Sequence, residues 1–480
     1  MSLTYTSIGA PRIGAGFERF GRLDLAQHRA MHGRIPEFGL GSLIELAERV
    51  DLRGRGGAGF PFGRKLAATS TSGLPTVVLV NGAEGEPGSG KDTLLLTRAP
   101  HLVLDGAQLV ATALKAEEIV IGVEGAAGEE SLREAVAERE FPQPVRIVPL
   151  LERFISGEGG ALVRAVNGEN PIPPGRKVRA AVSGVNGLPT LLSNAETYAQ
   201  LAVLASLGAE LYSSVGTIEE PGTVLLTVAA EHVVEAPTGT PLSEVFAQLG
   251  VSTGQGVLTG GYHGSWLSPD SAAVARVSRA GFEAVGGSFG AGILLPLAAG
   301  VCPLGESLRV AAYLAAQSAG QCGPCRLGLP EIVKTMSELL DGVGSVQAVR
   351  SAVRIGRGRG ACKHPDGTAT FVLSALSTFS EDVAIHLEEG GCDRPVRSLL
   401  HVPQDAGGTL EIDWARCKGH GVCAYVLPEV IHLDRHGYPV VSSGPLPTWL
   451  ARDVRKAVAM CPALALRHAT PPDPNSSRKR

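Results

Sequence analysis

The cysteines of this 480-residue chain are the first residues whose types and spacing suggest chemistry. Cys417 and Cys423 stand six positions apart, and Cys461 follows them directly before a proline. A two-plus-one arrangement that closes on a cysteine–proline pair is typical of iron–sulfur ligation. The histidine His420 lies between the first two cysteines and is either a further ligand or a solvated loop residue. We therefore predict an iron–sulfur centre near the C-terminus.

A second group contains Cys322 and Cys325 in a C-x-x-C pair, with Cys362 further along the chain. Such a pair could be a thioredoxin-like redox site, but here it lies between helical stretches rather than after a strand. Zinc needs four ligands, which three cysteines and the neighbouring His364 could supply. Iron–sulfur ligation is the favoured interpretation. Cys302 and Cys392 are left over, and we expect them to be buried as small apolar residues.

Two glycine-rich segments suggest binding sites for phosphate or an aromatic ring. The segment GRGGAG (54–59) matches a dinucleotide fingerprint, which must follow a strand and open a helix. Here a helix precedes it, and Pro61 and Gly63 oppose a helix directly after it, so a Rossmann site is not expected. Exposed amides with the charges of Arg55 and Lys65 could still approach a phosphate or ring closely, although a tight surface turn is the alternative.

The segment GEPGSGKDT (85–93) resembles a phosphate-binding P-loop, G-x-x-x-x-G-K, except for the residue after the lysine. Asp92 cannot supply the hydroxyl ligand to magnesium, and its carboxylate would repel a nucleotide. We do not expect a nucleoside triphosphatase. The loop still offers a strand end, backbone amides and Lys91 to an anion or a flavin.

Hydrophobic patterning predicts several domains. Apolar strands at 77–80, 119–123 and 145–150 alternate with helical stretches, which indicates an α/β domain with a largely parallel sheet. Short strands surround one helix at 241–249, and long amphipathic runs follow residue 306. The predicted divisions are 1–221 (N-terminal segment and α/β domain), 222–300 (a β-grasp insert), 301–392 (helical bundle with iron–sulfur motif), 405–470 (compact tail domain) and 471–480 (disordered tail).

Composition excludes several classes of function. The net charge of −4 leaves no electrostatic footprint for nucleic acid. The longest apolar passage, 289–304, is interrupted by glycines and prolines, so no membrane span is expected. The N-terminus lacks the apolar region of a signal peptide, which predicts a cytoplasmic protein whose cysteines serve metal or redox chemistry.

Five segments together resemble a known family. In order, LRGRGGAGFPFGRK, VNGAEGEPGSGKD, ISGEGGAL, SGVNGLPTLLSNAETYA and GQCGPCRLG are similar to the flavoprotein (51 kDa-type) subunit of respiratory NADH dehydrogenase, with related subunits in NAD-reducing hydrogenases and formate dehydrogenases. The resemblance covers residues 40–390. It implies an α/β FMN-binding domain, a ubiquitin-like β-grasp (SLBB-like) insert and a helical bundle that carries a [4Fe-4S] cluster. The tail resembles actinobacterial-type single-cluster ferredoxins of α+β fold.

The resemblance also implies site residues. Glu86 would face the nicotinamide, and Phe60 would be an aromatic floor for an adenine. No general base is implied, because hydride transfer needs none. The implied FMN contacts are Gly54, Arg55, Gly56, Gly57, Lys65, Asn81, Glu84, Gly157, Glu158, Asn194 and Thr197.

The sequence departs from the family at several positions. The family's N-A-D-E becomes N-G-A-E, so Ala83 replaces an aspartate, and Gly159 and Arg179 replace a glutamate and a phenylalanine. The family's L-K-W-S-F loses an aromatic at 66–68, and Ala319 stands where its first cluster cysteine is expected. Several of these positions serve NADH more than FMN, so flavin is supported more firmly than pyridine nucleotide.

We therefore expect an electron-transfer oxidoreductase. In it, FMN accepts electrons, with NADH as the candidate donor, and passes them through iron–sulfur clusters to a partner protein. The partner could be a membrane oxidoreductase or a cytochrome P450. Three thiolates favour a [3Fe-4S] cluster in the tail over [4Fe-4S], and the bundle would hold a [4Fe-4S] or incomplete cluster. The alternative is a non-catalytic iron–sulfur adaptor with a degenerate flavin and NADH site.

Overall fold

The computed structural model describes residues 3–71, 73–175, 178–402, 409–428, 430–441, 446 and 450–469. The predicted tail 471–480 and part of the boundary near 405 lie outside them. The strands are β1 (Thr4–Ser7), β2 (Val77–Gly82), β3 (Glu118–Val123), β4 (Val145–Pro149), β5 (Thr190–Asn194), β6 (Thr223–Val228), β7 (His232–Pro237), β8 (Gly256–Thr259), β9 (Ser265–Leu267), β10 (Ile293–Leu297), β11 (Thr409–Ile412), β12 (Ile431–Leu433), β13 (Pro439–Val441) and β14 (Leu466–Ala469).

Helices account for much of the remaining described chain. They are α1 (Leu25–His32), α2 (Leu40–Arg49), α3 (Phe62–Ser70), α4 (Lys91–Arg98), α5 (Pro100–Leu114), α6 (Ala126–Ala137), α7 (Gly159–Val166), α8 (Ala195–Tyr212), α9 (Leu242–Leu249), α10 (Pro269–Val274), α11 (Arg279–Glu283), α12 (Pro303–Ala316), α13 (Leu329–Leu340), α14 (Val346–Gly356), α15 (His364–Thr378), α16 (Ser380–Glu389), α17 (Val422–Val426) and α18 (Ala451–Met460).

The first domain is built on a parallel sheet with strand order β4-β3-β2-β5. Both faces of the sheet are covered, so its central strands are apolar throughout rather than alternating with polar residues. Val78 and Val80 enter the larger core on the α5 and α8 side, whereas Val77 and Leu79 enter a smaller core with Leu162 of α7. This three-layer arrangement confirms the α/β prediction for this domain.

A second, mixed sheet has strand order β1-β7-β6-β10-β8-β9. Its helix α9 lies where a helix was predicted. The N-terminal strand β1 pairs in parallel with β7, so residues 4–7 extend this sheet rather than the first one. The segment after β1 is held by the fully buried Glu235 of β7. The carboxylate of Glu235 accepts the amides of Arg12, Ile13 and Gly14 at 3.0 Å.

Between this sheet and the C-terminal domain the chain is helical, as predicted. Helices α12 to α16 pack around one core that includes Leu304, Val310, Met336, Phe371 and Val383. Among the residues that the structure describes, no helix is long and apolar enough to cross a membrane.

The C-terminal domain is small and of α+β type. Strands β11 and β14 pair antiparallel, as do β12 and β13, and α17 and α18 complete the core with Leu427, Val454 and Ala457. The limited size of this core is typical of a domain that a metal cluster helps to hold together.

Candidate functional site

The parallel sheet creates a crevice at the carboxyl ends of its strands. The chain winds from β2 outward through β3 to β4 and then returns to the opposite side of β2 with β5. Ligands of open α/β sheets bind at such a switch point. The strand-end residues Asn81 and Asn194 are register partners here, and Asn81 also donates from Nδ2 to the carbonyl of Gly157 at 3.0 Å. Three of the predicted FMN contacts therefore meet at this edge.

The glycine-rich loop between α2 and α3 lies against the same edge. The amide of Arg55 donates to Oγ1 of Thr197 at 2.9 Å, and a Cβ on Gly56 would approach that of Asn194 to 3.3 Å. Nζ of Lys65 donates to the carbonyl of Leu192 at 2.9 Å, and burial lowers the pKa of this amine. The loop is thus fixed to β5 and α8.

From the other side, the guanidinium of Arg279 holds the loop in its shape. Arg279 donates to the carbonyl oxygens of Gly54, at 2.9 Å, and Gly57, at 3.4 Å. Gly57 has a φ of +98°, a backbone conformation that favours glycine. The neighbouring Phe60 is 50% exposed, as a side chain available for stacking would be.

The two predicted carboxylate contacts, Glu84 and Glu158, both cap helices. Glu84 accepts the amides of Asp92 (3.0 Å) and Thr93 (2.7 Å) at the start of α4. Glu158 accepts the amide of Ala161 at 2.8 Å at the start of α7, and burial raises its pKa. These carboxylates therefore set the positions of the loops that line the crevice.

Glu86 connects the crevice to the second sheet. Its carboxylate accepts the amide of Tyr262 at 3.1 Å, and a Cβ on Gly261 would come within 2.9 Å of it. Burial raises the pKa of Glu86 to about 7. Sequence reasoning placed Glu86 at the site but did not indicate its contact with this second sheet.

One acidic residue at this edge was missed. Glu124 follows β3 directly and accepts the amide of Glu84 at 2.9 Å. Burial raises the pKa of its carboxyl to about 8, and the nearby Glu84 carboxylate also raises it. Its position after an apolar parallel strand was the signal that could have found it.

Lys91 and Asp92 of the P-loop-like segment lie in a buried ionic network. Nζ of Lys91 is 3.1 Å from Asp92 and 3.1 Å from Glu196, and it donates to Oδ1 of Asn194 at 3.0 Å. The side-chain Nδ2 of Asn194 donates to Oδ2 of Asp92 at 2.7 Å, and Nε of Arg55 lies 4.0 Å from Oε1 of Glu196. The expectation that Lys91 is available to an anion is wrong, because the amine is buried and shared among protein acceptors.

In the helical region, Cys322, Cys325 and Cys362 are neighbours. Cys325 lies in a π-helical turn (Pro324–Gly328) ahead of α13, a distortion frequent at functional sites. Burial raises the pKa of Cys362, and the nearby carboxylate of Glu158 and thiol of Cys322 raise it further. Cys362 therefore lies near Glu158, at the loop that borders the crevice.

His364 is not available as a ligand in this group. One ring nitrogen donates to the carbonyl of Leu314 at 2.7 Å, and the other lies 3.0 Å from Nε2 of His263. Burial lowers the pKa of His364 to about 4, so the ring is neutral and both nitrogens are engaged. A zinc site made of these three cysteines and His364 is therefore not supported.

In the C-terminal domain, one cavity is lined by Cys417, Cys423 and Cys461 together with His420. The amide of Ala465 donates to Sγ of Cys461 at 3.3 Å. Amide donors to sulfur are among the features that tune iron–sulfur clusters. The structure thus brings together the three predicted ligands and leaves His420 beside them, exposed on one side.

We predict that Lys91→Met destabilises the fold strongly. Removal of the amine leaves Asp92 and Glu196 buried with Arg55 as their nearest cation, so the free energy of unfolding should fall by about 3–5 kcal/mol. Lys334→Met is the matched control, because that exposed amine lies 3.8 Å from Glu338 and should contribute less than about 1 kcal/mol. Equal losses in urea unfolding of both variants would contradict a structural role for the network.

We also predict that Glu86→Gln makes stability less dependent on pH. The folded protein retains a proton, with a pKa of about 7, that the unfolded chain releases near 4.5, so stability falls as pH rises between these values. Glutamine keeps the acceptor for Tyr262 without the charge. In FMN-free protein the variant should exceed the wild type by about 3 kcal/mol at pH 8 and match it near pH 4. The exposed Glu18→Gln serves as control, and a difference that does not change with pH would refute the assignment.

Comparison with known proteins agrees with this geometry. Residues 47–203 match the family model of the Nuo51 FMN-binding domain, 306–386 match that of the NADH-ubiquinone oxidoreductase-F iron-sulfur binding region, and 410–468 match that of a 4Fe-4S single cluster domain. The matched ranges contain all six predicted cysteine ligands. They also contain every predicted FMN contact.

Similar proteins include an F-type subunit (F 2) of the NADH-quinone oxidoreductase of Rhizobium meliloti, 26% identical over 76% of this chain and 93% of the relative. The F-type subunit of the Mycobacterium tuberculosis enzyme is 29% identical over 75% and 88%, respectively. The NADP-reducing hydrogenase subunit HndC of Solidesulfovibrio fructosivorans is 26% identical over 80% and 83%.

Among solved structures, an air-oxidised NAD+-reducing [NiFe]-hydrogenase shares the fold, with a TM-score of 0.69, 22% identity and coverage of 84% of this chain and 70% of that chain. The shared fold alone does not indicate a function, whereas the three family matches do. The chain is an NADH dehydrogenase-type flavin and iron–sulfur electron-transfer subunit, similar to the F-type subunits of the NADH-quinone oxidoreductases and followed by a 4Fe-4S single cluster domain.

Proposed function

We propose that the chain binds FMN in the crevice between the carboxyl ends of β2 and β5 and passes electrons from there to the cysteines of the helical region. The observation that carries this proposal is the convergence of Gly54–Gly57, Asn81, Gly157 and Asn194 on one edge of the sheet, with Cys362 next to Glu158. A flavin at this edge would lie beside the iron–sulfur ligands.

The glycine loop fits a flat ligand. A Cβ on Gly54 would meet only the backbone of Phe60, at 3.6 Å, and one on Gly57 only that of Gly290, at 3.9 Å. Packing within the protein therefore does not require a bare backbone at 54, whereas close approach of a ring or phosphate does. Nε of the buried Arg55 makes no hydrogen bond within the protein and is a further candidate contact.

FMN, when bound, accepts two electrons as a hydride and releases them singly to iron–sulfur centres. The chain's own residues provide orientation and charge. Lys65, near the start of α3, places its amine beside the loop, and Asn81 and Asn194 present amide groups at the strand ends. The helix caps of Glu84 and Glu158 fix the two loops that would flank the ligand.

NADH is the proposed donor. Phe60 is exposed for stacking, and Glu86 would lie on the nicotinamide side, neutral below about pH 7. The departures at Ala83 and Arg179, which is exposed, weaken contacts on this side. We therefore propose lower affinity for NADH than an intact family member has, with the flavin position itself retained.

In the helical region we propose a [4Fe-4S] cluster with three cysteine ligands, or an incomplete form of it, because Ala319 is buried where the family's first cysteine would stand. The C-terminal domain would then carry electrons onward to a partner protein, which could be a membrane oxidoreductase or a cytochrome P450. The relatives are named as subunits of oxidoreductases and hydrogenases, which supports the proposal that this chain also acts as part of a complex.

For the C-terminal domain we propose a [3Fe-4S] cluster. Cys417, Cys423 and Cys461 supply three thiolates, and a three-iron cluster needs no fourth protein ligand. His420 lines the cavity, and its exposed ring supports a bystander role as well as it supports ligation. The matching family model describes four-iron domains, so nuclearity must be measured.

We predict that Gly54→Ala prevents FMN binding without unfolding the protein. The added methyl group would make one ordinary contact within the protein but would occupy the open face of the loop, and we expect FMN affinity to fall by at least about tenfold. Gly41→Ala in α2, where a Cβ meets nothing within 4 Å, is the control and should retain FMN. Released flavin fluorescence and thermal unfolding measure both effects.

Full FMN content in Gly54→Ala would place the flavin elsewhere. Wild-type protein that cannot be loaded with FMN would instead favour the second candidate function, an iron–sulfur adaptor without a working flavin. The two outcomes are separate, since the first concerns the position of the site and the second its existence.

For the C-terminal cluster we predict a low-temperature EPR signal in the oxidised state, which a [3Fe-4S] centre gives and a four-iron ferredoxin does not. The signal should survive His420→Ala and Cys322→Ser, the second being the control for the helical region. His420→Cys should convert the centre towards the four-iron form. An oxidised sample that is silent, with four irons in the C-terminal domain, would refute the three-iron cluster, and loss of one iron in His420→Ala would then identify His420 as the fourth ligand.

A further inference from the structure

Three residues that the proposed flavin and iron–sulfur sites do not use come together at the N-terminal end of α12. Cys302 is the N-cap residue of α12, His386 lies in the last turn of α16, and Cys392 follows α16. Their ligand atoms all lie within 4.8 Å of one another. Among the described residues they form the one group of at least three histidine, cysteine or acidic side chains close enough to hold a single ion.

The geometry directs the histidine towards the sulfur. Nδ1 of His386 lies 2.7 Å from the carbonyl oxygen of Leu340, which can only accept, so Nδ1 carries the proton in the neutral ring. Nε2 therefore presents its lone pair to Sγ of Cys302, 3.3 Å away. This is the arrangement of a metal-binding histidine, whose second nitrogen is held by a backbone carbonyl.

The sulfur of Cys302 is prepared in a similar way. It accepts the amide of Gly305 at 3.2 Å, at the N-terminus of α12, where the helix dipole favours negative charge. The hydrogen bond and the field of the helix favour a thiolate, whereas burial and the neighbouring Cys392 raise the pKa of this thiol, so the charged sulfur needs a cation beside it. Cys302 and His386 are buried, so an ion bound between them would be shielded from bulk solvent on that side.

We propose that Cys302, His386 and Cys392 bind a zinc ion. Two thiolates and a neutral imidazole match the ligand preference of zinc and give a site of zero net charge. With usual zinc–sulfur and zinc–nitrogen bond lengths, a tetrahedral ion separates sulfur from nitrogen by about 3.6 Å and two sulfurs by about 3.8 Å. The observed 3.3 Å between Sγ and Nε2 is close to this value. The fourth position would take a water molecule.

The ion would act as a structural clamp on the segment that leads to the C-terminal domain. This segment already folds back on α12: the amide of Cys302 donates to the carbonyl of Pro395 at 3.0 Å, and the amides of Arg397 and Ser398 donate to Oε1 of Glu306 at 2.7 and 2.8 Å. An ion bound to Cys302 and Cys392 would close the same fold-back through metal–ligand bonds.

The inference does not depend on the proposed flavin function, and elemental analysis tests it directly. Full-length protein, purified anaerobically under reducing conditions, should contain one zinc that is lost in Cys302→Ser and His386→Gln. Cys325→Ser and Cys423→Ser should lose iron but keep that zinc, which separates this site from zinc held by incomplete clusters. His386→Cys, unlike His386→Gln, should still bind the zinc ion, because a thiolate can replace the imidazole as a ligand.

Two further measurements keep the test independent of folding defects. Chelator-treated protein loaded with one equivalent of cobalt should show thiolate charge-transfer absorption that is absent in Cys302→Ser. Removal of zinc should speed tryptic cleavage after the exposed Arg397 by at least about tenfold, because the clamp no longer opposes local opening.

The proposal is overturned if zinc content is the same in wild type, Cys302→Ser and His386→Gln. It is also overturned if folded wild-type protein retains no zinc or cobalt after one equivalent is added. Detection of a Cys302–Cys392 disulfide in the anaerobically purified protein would make the pair a redox dithiol instead of a metal site.

Discussion

The crevice proposed to bind flavin depends on a buried ionic network under the carboxyl edge of the parallel sheet. Lys91, Asp92, Glu196 and Arg55 are buried together, two positive and two negative side chains. Burial opposes the charge of Lys91, but the carboxylates of Asp92 and Glu196 raise its pKa above the usual value. Because unpaired buried charges cost several kcal/mol each, these four positions cannot vary independently. The network joins α4, α8 and the glycine loop, the elements that form the walls of the crevice.

Local patterns predicted the first domain well, because burial on both faces makes its central strands continuous apolar runs. The strands expected at 77–80 and 119–123 are observed as β2 and β3 within two residues. The network was not predictable, since G-S-G-K-D in isolation has the composition of a phosphate loop. Its role follows only from Glu196 and Asn194, about 100 residues later in the chain. The pairing of β1 with β7 is non-local for the same reason.

The cysteines also divide into those that local spacing predicted and those that only the fold brings together. The spacing of Cys417, Cys423 and Cys461 indicated ligation, and the structure places them around one cavity. Cys302 and Cys392 have no motif around them and were expected to be isolated buried residues, although Cys392 is only half buried. Their relation to His386 arises because α12 and α16 pack side by side. Sequence spacing reports ligands that share a loop, whereas ligands brought together by helix packing carry no local signal.

These constraints fall unevenly on the two sides of the proposed flavin site. On the sheet side, Asn81, Asn194 and Gly56 are fixed by strand register, hydrogen bonds and the buried network, so a change there disturbs the fold. On the donor side, Phe60 and Arg179 are exposed and free to vary at little cost in stability. Ala83 is buried but small, a Cβ on Gly159 would make only ordinary contacts from 3.7 Å, and Arg179 is exposed, so the departures from the family at these positions are compatible with an intact α/β domain.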